Sequence, residues 1–411
     1  MVITNANHGT LEGRKDNTAW EQVLNITGSQ RGDRAGYAVS LSDDGKFKAV
    51  GFPGANAQTG LVRVYQLAAQ MWMQVGDDIT GDFTGDEFGS AVALSSDGSI
   101  VSIGAPKSST RNYHAGQVKV FQYADGVWNM IGSPIYGDEA SDLAGFAVAI
   151  ADNGNVIAMG SPQESRFNAG SVKVFGYSAE RGDWELRGGE FIQGDQGGDR
   201  CGQSLSLSAD SNVLAIGCPG RDNHFRHAGR VLVMFWNDDG GWRQQGQPIE
   251  GDSQDASAGT SISLSNDGQL IGVGIPGYSK GLRSHAGAVR ILQFDEASGT
   301  WVRQGKDMIG LRSDYKIGNS VSLSSNGAIV AFDAGPHYDR GTHSGGQVAL
   351  RHFDDRSMSW IPLCPNLVLH HVSSYYKVDL NGVGDGVVVG FDNQGRSGVA
   401  VHLNGASAAV I

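Results

Sequence analysis

Apolar and small polar residues alternate in short runs that recur through most of the chain. Examples are Ala91-Val92-Ala93-Leu94-Ser95, Ser204-Leu205-Ser206-Leu207-Ser208 and Ser320-Val321-Ser322-Leu323-Ser324. A period of two marks a strand with one face turned to a core. Seven such first strands are predicted, over 37–42, 90–95, 146–151, 203–208, 260–265, 319–324 and 375–380. Asp-Gly or Asn-Gly usually follows, as at Asp44-Gly45, Asp97-Gly98, Asn153-Gly154, Asp267-Gly268 and Asn326-Gly327. These pairs tolerate positive φ and make hairpin turns. A second strand then runs to a Gly-x-Pro corner, seen at Gly51-Phe52-Pro53, Gly104-Ala105-Pro106, Gly160-Ser161-Pro162, Gly217-Cys218-Pro219 and Gly274-Ile275-Pro276. Proline has no N–H to donate, so the ladder stops there. A loop leads to a third strand such as Val118-Lys119-Val120-Phe121. No segment sustains a helical period.

The four-strand unit repeats. Trp20, Trp72, Trp128, Trp184, Trp242, Trp301 and Trp360 are spaced by 52 to 59 residues, and each sits in a predicted fourth strand. After the first six come Gly28, Gly81, Gly137, Gly194, Gly251 and Gly310. A second glycine follows each of these eight residues later: Gly36, Gly89, Gly145, Gly202, Gly259 and Gly318. Four short antiparallel strands repeated around a ring predict an all-β fold, a seven-bladed β-propeller of four-stranded antiparallel blades. The seventh repeat ends without a tryptophan strand. Trp20–Thr27 is a fourth strand with no first three before it. It is therefore expected to complete the last blade and close the ring, which removes unpaired edges. The expected organisation is an N-terminal extension over 1–19, one propeller over 20–404, and a C-terminal tail over 405–411.

Composition sharpens this picture. The chain has 411 residues, which at roughly 150 per domain would suggest two or three domains. The repeat replaces that expectation with one closed unit. Its 61 glycines then belong mostly to recurring turns. The net charge of −12 disfavours nucleic acid and anionic membrane surfaces as partners. No apolar window is long enough to span a bilayer. The opening Met1-Val2-Ile3-Thr4-Asn5-Ala6-Asn7-His8 lacks the basic and apolar regions of a signal peptide. Three cysteines are too few for a disulfide framework. Cys201 and Cys218 replace small residues in neighbouring strands of one blade. Small buried packing accounts for them, and a bond between them is open.

The repeat resembles the FG-GAP repeat of integrin α-subunit propellers. Phe88-Gly89 and Gly104-Ala105-Pro106 carry the namesake residues, and the other copies keep the glycine and the Gly-x-Pro. The resemblance implies a propeller, a recognition role and a place at the cell surface or exterior. It also implies calcium in the turn between first and second strands. The turns here, such as Ser42-Asp43-Asp44-Gly45, offer too few oxygens for that ion. No metal and no cofactor are expected.

Two recurring loops carry candidate chemistry. The acidic loop between blades has Asp86, Asp142 and Asp199, with partial copies at Asp33, Asp252 and Asp314. Each aspartate either caps its own loop or joins a carboxylate ring at the channel mouth. The loop between second and third strands has His114, His227, His285 and His343, often preceded by an arginine such as Arg111, Arg226 or Arg283. Both loops follow even-numbered strands, so they should share a face. The histidines, one per blade, are too far apart to share one metal. They either fix a turn before glycine or bind a ligand.

No Gly-x-Ser-x-Gly elbow, phosphate loop or Cys-x-x-Cys occurs. Repeats six and seven depart from the pattern at Phe332-Asp333-Ala334-Gly335-Pro336 and at Cys364-Pro365 with His370-His371, which reads as decay of the repeat. The expected function is a non-enzymatic recognition module that binds a protein or glycan through loops on one face. A structural subunit of a larger assembly is one alternative. An enzyme with its site in the central channel is another, and it predicts an off-symmetry cluster of titratable residues at one mouth.

Overall fold

The computed structural model describes residues 20–404 apart from 70, 165–167, 190, 240, 340–341, 371–375 and 394–395. The expected extension over 1–19 and tail over 405–411 lie outside the described residues. Seven antiparallel sheets form a seven-bladed β-propeller. The first strands are Val39–Leu41, Ala91–Leu94, Ala147–Ile150, Ser204–Leu207, Ser261–Leu264, Val321–Leu323 and Tyr376–Leu380, one per blade. They line the central channel, because each begins the innermost edge of its sheet.

In blades one to six the outer strand is split in two. Met71–Gln74 pairs with one half of Leu61–Ala68, and Ile79–Thr80 pairs with the other. Gly76, at a φ of 68°, lies between the halves. Blade seven is closed as expected. Its order is Tyr376–Leu380, Gly386–Asn393, Arg396–Asn404 and then Trp20–Thr27, which runs antiparallel to Arg396–Asn404. The two ends of the described chain are thereby joined by a ladder.

The recurring residues hold neighbouring blades together. Apolar positions of the second and third strands, such as Val50, Val62, Val101 and Ile103, are fully buried. Burying a side chain of this kind contributes roughly 1.5–3 kcal/mol. The Gly-x-Pro glycine is needed for close approach. A Cβ on Gly51 would stand 2.0 Å from the carbonyl oxygen of Gly89 in the next blade. Gly104 meets Gly145 in the same way. The tryptophans are stitches. The indole N–H groups of Trp128, Trp184, Trp301 and Trp360 donate to carbonyls of the preceding blade, Val75, Ile131, Gln245 and Gln304, at 2.9–3.0 Å.

The polar position of the first strand is a further stitch. Ser40, Ser206, Ser263 and Ser322 each accept the backbone N–H of a leucine in the following blade: Leu94, Leu264, Leu323 and Leu380. Asp379 holds this position in blade seven, and it accepts from Leu41 at 2.8 Å. The alternation that marks these runs as strands is thus also what welds the inner ring. Beyond these strands the hairpin turns form a second ring. The backbone N–H groups of Asp43, Ser96, Asp152, Ala209, Asn266, Ser325 and Gly382 each donate to the carbonyl of the next member, and Gly382 returns to Asp43. Across this ring the Asn266 amide donates to Asp43 at 2.9 Å, and Ser325 donates to the same carboxylate at 3.0 Å. These side chains narrow the channel at that end.

Candidate active site in the central channel

The channel widens at the other end, where the first strands begin. A cavity of about 470 Å³ lies there. Its wall is a ring of first-strand positions: Ala38, Ala91, Ala147, Ser204, Ser261, Ser320 and Lys377. Six blades supply alanine or serine, and blade seven supplies lysine. Around the rim stand Arg34, Glu87 and Lys107, with Tyr37 and Phe146 as half-exposed aromatics. Glu87 lies 3.3 Å from Arg34 and 2.9 Å from Lys107. The guanidinium of Arg34 also lies over the Tyr37 ring at 4.0 Å.

A second departure adjoins the lysine. Asp333 occupies the position held by glycine in the other six blades: Gly51, Gly104, Gly160, Gly217, Gly274 and Gly390. Its carboxylate accepts the backbone N–H of Gly318 at 2.8 Å and of Ser320 at 3.1 Å. Burial nonetheless raises its pKa to about 7, because desolvation outweighs those bonds. Blade walls surround Lys377, yet its side chain is exposed to the cavity. Desolvation by those walls lowers its pKa, and the charge of Asp333 opposes that shift. Asp379, two residues further along the same strand, is also buried and raised to about 6. It bonds Leu41 and Ser322.

The sequence-derived site residues fall elsewhere, and none of them lines this cavity. Asp86, Asp142 and Asp199 are buried and cap their own loops. They accept backbone N–H groups from Phe83, Glu139 and both Asp195 and Gln196. They form no carboxylate ring at the mouth. His114, His227 and His285 sit at left-handed φ values of 49°, 47° and 46°. The backbone N–H of each is tied to Ser109, Asp222 and Ser279 respectively. The side chains of His227 and His285 approach Asp255 and Asp314 of the following acidic loop at 3.3 and 3.5 Å. His114 stacks on Tyr113. Arg111 lies over Tyr136 and Arg283 donates to the Gly310 carbonyl, while Arg226 is exposed. The side chain of His343 lies outside the described residues. These residues share a face, but no common pocket gathers them. Their recurrence marks loop construction.

Cys201 and Cys218 form a disulfide. Among the described residues no cluster of three or more His, Cys, Asp or Glu is placed to hold a metal.

No protein-family model and no curated protein matches the chain. Solved structures do match in fold. Hydrazine synthase of Kuenenia stuttgartiensis has a TM-score of 0.55 at 13% identity, covering 91% of this chain and 96% of its own. The periplasmic gluconolactonase PpgL of Pseudomonas aeruginosa has a TM-score of 0.54 at 18% identity, covering 81% and 85%. A Bacteroides uniformis protein assigned as a 6-phosphogluconolactonase has a TM-score of 0.55 at 12% identity, covering 82% and 86%. At these identities the likeness establishes the propeller.

The expectation of a non-enzymatic recognition module is not what these neighbours carry: two of the three are named as lactonases. The physical reason lies in the residues. The loop aspartates accept backbone N–H groups of their own loops, and the loop histidines are tied in through their backbone N–H groups. Asp333, in a stretch first read as decay of the repeat, is buried and acts through its charge on Lys377, which lines the channel cavity.

Proposed function

We propose that the protein is an enzyme acting in the wide end of the central channel, with hydrolysis of a lactone as its reaction. One observation carries this reading. Lys377 breaks the repeat and lines a cavity of substrate size, and the buried Asp333, a second break in the repeat, acts on it through its charge. Active sites are where burial and a neighbouring charge shift pKa values together. The reaction class is suggested by the two lactonases that share the fold.

In this reading the Lys377 amine, shifted towards its neutral form, takes a proton from the attacking water. Asp333 positions it and tunes its charge. Arg34 and Lys107 at the rim hold an anionic group of the substrate, with Glu87 setting their orientation. The likeness of the repeat to FG-GAP blades stands as a proposal about its scaffold only.

The test is hydrolysis of glucono-δ-lactone and its 6-phosphate by the purified protein, followed as acid release above the spontaneous rate. Lys377→Met is expected to lower kcat/KM by about 100-fold or more, with circular dichroism unchanged. Equal turnover by Lys377→Met and the unaltered protein would remove Lys377 from the mechanism.

A further inference from the structure

Lys377 differs from the other lysines among the described residues in two ways at once. Lys46, Lys107, Lys119 and Lys173 each carry an ion pair with a carboxylate. Lys48 is fully buried against Trp72 and does not line this cavity. Lys280, Lys306 and Lys316 lie outside the channel cavity and face bulk water in whole or in part. Lys377 opens into a walled cavity, and among the described residues Asp333 is the one charge that acts on it. The cavity wall is small and weakly polar at Ala38, Ser261, Ser320 and Val321. Such a wall leaves room for a ligand carbon next to the amine.

We propose that Lys377 is a nucleophilic amine that forms an imine with a small aldehyde or ketone bearing a negative charge. This rests on the channel being the reactive site and is independent of lactone hydrolysis. The nitrogen lone pair attacks the carbonyl carbon, and the C–O π bond becomes a hydroxyl as it gains a proton. The carbinolamine then loses water, the nitrogen gives up its proton, and a C=N bond remains. Amine and carbonyl compound go in, and imine and one water come out, with no oxidant or reductant. A lysine desolvated by its surroundings is the residue type suited to this step. The negative charge on the ligand is matched by Arg34 and Lys107 at the rim, with Glu87 cancelling one of them.

The experiment uses the full chain with glyoxylate as probe and cyanoborohydride to trap the imine as a stable carboxymethyl-amine. Peptide mass mapping then gives the rate at each lysine. Lys377 is expected to be modified about tenfold faster than Lys46 or Lys306, because its neutral fraction at pH 7 is larger. Glycolaldehyde, which is similar in size but uncharged, is expected to react more slowly at Lys377 and equally at the surface sites. Lys377→Arg keeps the charge and should leave only slow surface labelling. Asp333→Asn should change the pH dependence of labelling at Lys377 alone. Labelling of Lys377 at or below the rate of Lys46 overturns the proposal. Fast labelling of Lys377 in a protein that hydrolyses no lactone supports the imine and counts against lactonase activity.

Discussion

Blades two to five and the seam formed by blades six, seven and one use the same frame differently. In blades two to five the first strand begins with alanine or serine, the Gly-x-Pro glycine is present, and the second strand is apolar at Val101, Ile157, Leu214 and Ile271. At the seam the same positions carry Asp333, Lys377 and Lys48. Asp379 replaces a serine or alanine there too. At these inner positions the regular blades carry small or apolar residues. The seam places ionisable groups at the same positions, each of which costs desolvation. Recurrence therefore marks scaffold, and costly departures mark candidate chemistry. Lys48 shows that departure alone is insufficient. It breaks the pattern as sharply as Lys377, but it does not line the channel cavity.

The largest effect expected at the seam is loss of its closing strand. Deleting residues 1–28 removes Trp20–Thr27 and leaves Arg396–Asn404 as an open edge. The truncated chain should lose its single cooperative transition in urea. A melt like that of the full chain would show that the ring does not depend on this ladder.

A smaller, pH-dependent effect should come from Asp379→Ser, which restores the residue of the regular blades. Burial raises the Asp379 carboxyl to about 6, above its unfolded value of about 3.9. A raised acid contributes stability below the unfolded pKa and loses it as pH rises through the folded one. The unaltered protein should therefore lose about 2–3 kcal/mol from this group between pH 4 and pH 7. The serine variant should lack that slope, because its hydroxyl can accept from Leu41 as Ser40 accepts from Leu94. Parallel pH profiles for the two proteins would contradict the assignment.

Lys48→Met tests the seam at a point outside the channel cavity. Its amine is fully buried, finds no hydrogen-bond acceptor and lies 4.0 Å over Trp72. Burial holds its pKa well below the usual lysine range. The unfolded chain gains a proton at neutral pH that the folded chain resists. The variant should be more stable by about 1–3 kcal/mol at pH 7. The gain should shrink as pH approaches about 10.4, where the unfolded amine is also neutral. Urea unfolding at pH 7 and pH 10 checks both.

The repeat told where the blades are, because a strand needs only period two and a turn needs only residues that accept positive φ. The first-strand ranges agree with the observed strands within two residues, and the closing strand was found by counting. The outer strand was less legible. Its split follows from a turn at Gly76 and its equivalents, and the sequence offered no separate signal for a two-residue ladder. The loop histidines stood out because they recur at one position in several blades. The structure shows what that position has in common, a left-handed backbone before glycine at His114, Asn168, His227 and His285.

The sequence alone determined the architecture: seven repeats, four strands in each, and a ring closed by its first strand. These follow from local periodicity and turn chemistry, which act between near neighbours. The tertiary structure alone decided that Cys201 and Cys218 are bonded and that Asp333 adjoins Lys377. It also decided that Lys377 faces a cavity. Lys377 and Asp333 lie 44 residues apart in consecutive blades, and the packing of one blade on the next brings the charge of Asp333 to bear on Lys377. Desolvation depends on what surrounds a group, so no count of residues along the chain could have revealed it.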